Sequence, residues 1–336
     1  MSPVYRILDA NLDRAREALR VLEDWYRLGW EDRDRAETCK TLRHELAAWH
    51  RPELRAARRT ETDPGTTLTT PQEQQRADVG AVVQANFARL QEALRVLEEF
   101  GKLYDGNFAV AAKQWRYQTY ILESGHQKGD RRYQLQQARL YLVTMPIENL
   151  ETVVEQALQG GVNIVQYREK TAEDGERYRQ AQNLGALCRR YGALFIVNDR
   201  LDVALAVGAD GVHVGQTDLP VPVIQQWGGS LLVGQSTTNP AELAKALAAA
   251  VDYVGVGPVF ATPTKPGKAA AGLSYVAHAA AQSPVPWFAI GGIDPDNLPG
   301  VQAAGATRIA VVRSLMAAPD PAQTARRLQT LLPPPQ

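Results

Sequence analysis

The chain has 336 residues, of which 45% are hydrophobic and 22% charged, enough for two domains or for one large barrel with an appendage. Lysine plus arginine equals aspartate plus glutamate at 37 each, so no overall basic field favours nucleic acid or anionic lipid. No apolar run approaches a membrane span, Arg6, Asp9, Asp13, Arg14 and Arg16 stand where a secretion signal needs an apolar core, and Cys39 and Cys188 lack metal-site or disulfide spacing, so a cytoplasmic protein with reduced thiols is expected.

Residues 1–123 read as an all-α domain. The segment Ile7–Asp24 (ILDANLDRAREALRVLED) aligns without gaps on Val82–Glu99 (VVQANFARLQEALRVLEE), an internal repeat at an offset of 75 with ten of 18 pairs identical. The pairs include Asn11/Asn86, Arg14/Arg89, Glu17/Glu92, Arg20/Arg95 and Glu23/Glu98. Apolar residues at Leu8, Ala15, Ala18, Leu19, Val21 and Leu22 suit an amphipathic helix in a bundle. The repeated polar set reads as an ion-pair network along a pseudo-twofold packing seam. Further helices are expected over Arg33–Ala57 and Phe108–Glu123, with a turn-rich loop over Thr60–Pro71. The polar stretch 124–136 has no periodicity and reads as a linker, Arg131 and Arg132 being solvated charges within it.

Over residues 137–336 short β-rich runs alternate with helix-length segments. Strands are expected at Arg139–Val143, Val162–Arg168, Ala193–Asn198, Gly211–Val214, Leu231–Gly234, Tyr253–Val256, Trp287–Ile290 and Arg308–Val312. Crossover helices are expected at Asn149–Gln159, Glu173–Tyr191, Pro240–Ala249 and Asp296–Ala304. Eight such units predict an α/β fold, a (β/α)8 TIM barrel following the helical domain with its internal repeat. A doubly wound sheet is the alternative, weakened because no GxGxxG follows the first strand.

Polar residues cluster at the expected C-terminal strand ends, where barrels do their chemistry. They are Gln166, Arg168 and Lys170 after strand 2, Asn198 and Asp199 after strand 3, and Asp218 beyond strand 4. Ser236 ends strand 5, Thr262, Thr264 and Lys265 follow strand 6, Gly291 and Gly292 follow strand 7, and Val312 to Ser314 close strand 8. The runs QYREK, NDR, DGVHVGQTD, GPVFATPTK, AIGGI and IAVVRS, in that order over Arg139–Met316, resemble the signature set of the thiamine-phosphate synthase family. The helical half resembles the domain that cyanobacterial-type members carry before the barrel.

The resemblance implies a transferase (EC 2.5.1.3) joining 4-amino-2-methyl-5-hydroxymethylpyrimidine diphosphate to a thiazole phosphate, with Mg2+ as cofactor and diphosphate released. It implies Asp199 and Asp218 as metal ligands. Gln166, Arg168, Lys170, Asn198, Ser236 and Lys265 match the pyrimidine-diphosphate contacts. Thr262, Thr264, Gly292, Val312 and Ser314 match the thiazole-phosphate contacts. Arg168, Lys170, Ser236 and Lys265 are the expected catalytic set. The residues agree with that chemistry on their own terms. A departing diphosphate needs cations, arginine grips phosphate bidentately, and magnesium takes oxygen ligands. Gln235 and Tyr167 depart from the family's usual small apolar residue and leucine.

Blander readings stand beside these. Asp199 and Asp218 suit helix N-caps, His213 a structural histidine, Gly291-Gly292 a tight turn, and Lys265 a solvated loop lysine. The rival functions are a catalytically inactive regulatory barrel binding thiazole or phosphate, and an isomerase or epimerase working by an acid–base pair. For the helical half the alternative is a second phosphate-handling site using the repeated residues with Asp63, Pro64, Gly65, Thr66, Glu73 and Arg76; the resemblance to the cyanobacterial-type domain implies a pyrimidine phosphate kinase there, though no P-loop accompanies it. Partners are expected to be small-molecule substrates, with no nucleic acid or membrane. The sequence leaves the oligomeric state open, a homo-oligomer included.

Overall fold

The computed structural model describes residues 2–59, 61, 76, 79–261 and 269–334. The chain divides into two compact units, Met1–His126 and Gln127–Gln336. The loop expected over Thr60–Pro71 lies outside the described residues apart from Glu61, as do Asp63, Pro64, Gly65, Thr66 and Glu73.

In the helical unit α1 (Ser2–Asp24) runs into a π-helical turn, Trp25–Gly29, and is followed by α2 (Arg33–Trp49), α3 (Pro52–Ala56), α4 (Val79–Gly101) and α5, which begins at Gly106. The single helix expected over Arg33–Ala57 is two. Pro52 cannot donate a backbone hydrogen bond and pushes Arg51 into an extended conformation (ψ 156°), so the chain breaks there. Leu8, Leu12, Ala15, Leu19 and Leu22 of α1 form one core with Val83, Phe87, Leu90, Leu94 and Leu97 of α4. The two repeated segments are thus the two packed helices.

The repeat extends to hydrogen bonding. Asn11 Nδ2 donates to the Ile7 carbonyl and Asn86 Nδ2 to that of Val82, each at 2.8 Å. Glu23 accepts from Arg43 of α2 at 3.0 Å, and Glu98 from Arg116 of α5 at 2.9 Å. Arg20 and Arg95 reach the same glutamates from one turn earlier. Arg14, Glu17, Arg89 and Glu92 depart from the expected network: all four are exposed and make no ion pair with another described residue. They fall on the outward side of helices whose inward stripe is apolar.

The segment expected as a linker, 124–136, is helical throughout, because α5 runs unbroken from Gly106 to Gln137. Its last turns close the N-terminal end of the barrel. Arg131 Nε donates to Asp210 at 3.0 Å, and its guanidinium also reaches Ser230. Arg132 pairs with Asp252 at 2.7 Å, Leu135 is buried among the barrel's interior side chains, and Arg308 donates to the Gln136 carbonyl. Asp210, Ser230, Asp252 and Arg308 each stand just before a strand. The stretch reads as a linker because its apolar anchor is one leucine and its other contacts are charged; the partner acids lie some 80 to 120 residues further along the chain.

The second unit is a closed parallel barrel in which each strand pairs with the next and β8 returns to β1. The strands are β1 (Leu140–Val143), β2 (Ile164–Tyr167), β3 (Leu194–Asn198), β4 (Gly211–Val214), β5 (Leu232–Thr237), β6 (Tyr253–Val256), β7 (Trp287–Ile290) and β8 (Ile309–Val311). Most lie within two residues of expectation. β5 ends three residues later, because Ser236 and Thr237 still pair with Gly255 and Val256 of β6. The connecting helices are α6 (Leu150–Gln159), α7 (Asp174–Arg190), α8 (Leu201–Ala206), α9 (Val221–Trp227), α10 (Pro240–Ala248), α11 (Gly272–Gln282) and α12 (Leu298–Ala303), with α13 (Arg313–Met316) and α14 (Pro321–Leu331) after β8. Alternate strand residues feed two cores. Val165, Val197, Val212, Val233 and Val254 face the helices, while Ile164, Ile196, Leu232, Tyr253 and Phe288 fill the interior.

Candidate active site

Strand alternation decides which polar residues look inward. Two residues beyond interior Ile164 comes Gln166, and two further comes Arg168. The same step takes Ile196 to Asn198, Gly211 to His213, and Leu232 through Gly234 to Ser236. These side chains meet in a cavity of about 480 Å³ at the C-terminal mouth. Of the expected site residues it is lined by Gln166, Arg168, Lys170, Asn198, Asp199, Asp218, Ser236, Gly292, Val312 and Ser314. Thr262, Thr264 and Lys265 lie outside the described residues.

Charge at the mouth is concentrated on β2, β3 and β4. Lys170 Nζ stands 3.2 Å from Asp199 Oδ2. Asp218 accepts the Gly215 N–H at 2.7 Å, which fixes its carboxylate under the β4 end. Burial raises the Asp199 pKa above the usual carboxylate range, the charge of Asp218 adds to that, and Lys170 opposes both. Asp199 also holds a left-handed backbone conformation (φ 62°), with its N–H donating to the His213 carbonyl at 2.9 Å. Two crowded carboxylates with oxygen-only donors suit a hard divalent cation. Neither aspartate caps the helix that follows it.

The glycines after β7 have a local explanation. Gly291 has φ 110°, and a Cβ there would stand 2.6 Å from Pro258; Gly292 has φ 67° and would meet Phe260 at 2.9 Å. Ser314 donates its hydroxyl to the Ile293 carbonyl. Gln235 is buried and reaches the Gly215 carbonyl at 3.4 Å, while Tyr167 donates to Gln180 on α7, so both departures from the family pattern act in packing. His213 is buried with both ring nitrogens partnered, yet it lines the cavity as well. Sequence reading missed Tyr141 and Tyr253, which line the cavity from below; their inward parity with Val143 and Gly255 was the available signal.

A second acidic group lies in the helical unit. Asp9, Asp13 and His50 are close enough to hold a cation. His50 Nε2 and Asp9 Oδ1 are 2.6 Å apart, and the Arg58 guanidinium bonds to both aspartates, so positive charge is already supplied. Burial pushes the Asp9 pKa up, but hydrogen bonds from Arg58 and His50 outweigh it and leave it lowered.

A closed parallel barrel whose mouth carries Arg168, Lys170 and paired carboxylates defines a (β/α)8 enzyme built to handle phosphorylated substrates. The model of the Thiamine monophosphate synthase family matches residues 140–315, and that of the ThiD2 family residues 6–125. The thiamine-phosphate synthase of Nostoc punctiforme is 60% identical over 95% of this chain and 91% of its own length, and that of Synechocystis sp. 57% identical over 98% and 96%. Among solved structures, the thiamine phosphate pyrophosphorylase of Pyrococcus furiosus is 35% identical with a TM-score of 0.55, covering 58% of this chain and 96% of that one. The chain belongs to the thiamine monophosphate synthase family.

Proposed function

We infer that the barrel condenses 4-amino-2-methyl-5-hydroxymethylpyrimidine diphosphate with a thiazole phosphate, giving thiamine phosphate and diphosphate. The observation that carries this is the convergence of Arg168, Lys170, Asp199, Asp218 and Ser236 on one cavity. The carbon–oxygen bond of the pyrimidinylmethyl diphosphate breaks with its electron pair going to the diphosphate. The resulting cation is delocalised into the aminopyrimidine, and the thiazole nitrogen attacks it. Arg168 and Lys170 hold the oxygens that take up the charge, and Asn198 and Ser236 add hydrogen bonds. Asp199 and Asp218 would hold magnesium, which when bound offsets diphosphate charge. The route needs no nucleophilic side chain and no general base.

The rival readings lack a supporting feature. An inactive regulatory barrel is expected to have lost an aspartate or Arg168, and all three line the cavity. An isomerase needs an acid–base pair, whereas the imidazole lining the described part of the cavity is held at both nitrogens. The test is incubation with both phosphorylated substrates and magnesium. Thiamine phosphate is the expected product, and its absence under conditions where the protein is folded overturns the reading.

A further inference from the structure

Beneath the mouth the barrel interior holds a line of polar groups where branched aliphatic side chains normally dominate. Gln166 Nε2 donates to Tyr141 Oη at 2.8 Å, and the Tyr141 and Tyr253 hydroxyls are 2.9 Å apart. His213 Nδ1 stands 3.2 Å from Tyr253 Oη, and His213 Nε2 stands 2.9 Å from Ser236 Oγ. Both tyrosines are almost fully buried, at 2% and 1% exposure, and burial raises their pKa values so that each keeps its hydrogen. The backbone makes room for the line: a Cβ on Gly234 would stand 2.1 Å from the Tyr253 ring, and one on Gly255 would touch His213.

Counting hydrogens sets the direction of the line. Gln166 is the donor to Tyr141, so the Tyr141 hydroxyl must spend its own hydrogen on Tyr253. Tyr253 then donates to His213 Nδ1, which leaves the imidazole hydrogen on Nε2, donating to Ser236 Oγ. Ser236, already accepting from His213, is left to point its hydrogen into the cavity. The reverse direction gives Tyr141 two donors and no protein acceptor for its hydrogen, an expensive arrangement for a hydroxyl on a residue only 2% exposed.

We propose that Tyr141, Tyr253 and His213 are positioning residues that hold the Ser236 hydroxyl as a hydrogen-bond donor aimed at the departing diphosphate. This rests on the condensation inferred above. As the carbon–oxygen bond breaks, negative charge grows on the leaving oxygen, and a donor fixed beforehand stabilises that charge without reorganising. Ser236 keeps its hydrogen throughout, so no proton changes hands. Each link polarises the next, which strengthens the terminal donor.

The test has two arms. Nitrogen-15 NMR of the substrate-free wild-type protein reads the His213 tautomer without any turnover. A neutral imidazole with its hydrogen on Nε2 is expected, and hydrogen on Nδ1 overturns the proposal. In the kinetic arm Tyr253→Phe keeps the ring and removes the link; kcat is expected to fall about ten- to hundredfold while KM for the pyrimidine diphosphate moves less than about threefold. His213→Gln retains an N–H donor toward Ser236 and should recover most of the activity lost in His213→Ala. Unchanged kcat in Tyr253→Phe, or no difference between the Gln and Ala variants, overturns the proposal. If Tyr253→Phe does not fold, the wild-type tautomer decides. A wild-type protein that makes no thiamine phosphate would instead sink the condensation itself, and the tautomer measurement tells the two failures apart.

Discussion

Asp199 combines a left-handed backbone conformation, a neighbouring carboxylate and a lysine 3.2 Å away. The backbone conformation and the crowded, partly buried carboxylates are costly for folding and the lysine offsets only part of that, which is what a site preorganised for a cation looks like. Because the native pKa of Asp199 is raised, the folded protein binds this proton more readily than the unfolded chain. In the metal-free protein the site therefore costs stability as pH rises through the raised pKa. Magnesium held by Asp199, as proposed, would compete with that proton. Its stabilising effect on the melting temperature should be larger at about pH 8 than at about pH 5. With Asp199 as the proposed metal ligand, Asp199→Asn should lower activity by at least about a hundredfold while leaving the metal-free melting temperature equal or higher. Calorimetry and product assay on the same variant check both halves. Near-normal turnover with magnesium still required would mean that the metal sits elsewhere.

At the scale of elements, the last turns of α5 show how a polar segment is held in a defined place. Asp252 is buried with its side chain 2% exposed, and it binds both Arg132 and the Val233 N–H. Arg132→Ala should cost about 1–3 kcal/mol, since it removes the arginine partner of a buried carboxylate at the barrel's N-terminal end, far from the mouth. Its kcat should stay close to wild type, and denaturant unfolding beside steady-state kinetics separates the two effects. The helical repeat allows a paired comparison. Glu98 and Arg116 are largely buried, so Arg116→Ala should destabilise the helical unit by about 1–3 kcal/mol. Arg89 is exposed, so Arg89→Ala should fall within about 0.5 kcal/mol. ATP-dependent phosphorylation of the pyrimidine monophosphate by the wild-type helical half, lost in Arg89→Ala, would give those exposed residues a catalytic role instead.

For the whole molecule, the second unit has its own interior core and closes its own N-terminal end with residues 131–136. A polypeptide of residues 127–336 should fold and retain condensing activity, measured as thiamine phosphate formed per folded molecule. One starting at Arg139 discards Leu135 and both arginine ion pairs; it should be markedly less stable. Equal stability of the two would mean that the helical closure contributes nothing. No helix among the described residues is long and apolar enough to cross a membrane.

The barrel was legible because parallel strands buried on both faces read as short runs rich in valine and isoleucine at regular spacing, a pattern carried by local sequence. The mouth was legible for a related reason: once strand ends are placed, the two-residue alternation assigns Gln166, Asn198 and Ser236 to the interior. The repeat, too, was plain, since ten identical pairs need no structure to be seen. What sequence could not decide were contacts between residues distant in the chain. Arg131 and Arg132 look solvated until the fold brings Asp210 and Asp252 to them, while Arg14 and Glu17 look paired until helix packing turns them outward. Tyr141 and Tyr253 read as hydrophobic strand residues, and only barrel closure brings hydroxyls 112 positions apart into hydrogen-bond contact. Periodicity is a property of neighbours along the chain, whereas charge pairing and hydrogen-bond direction depend on distances that the tertiary structure alone sets.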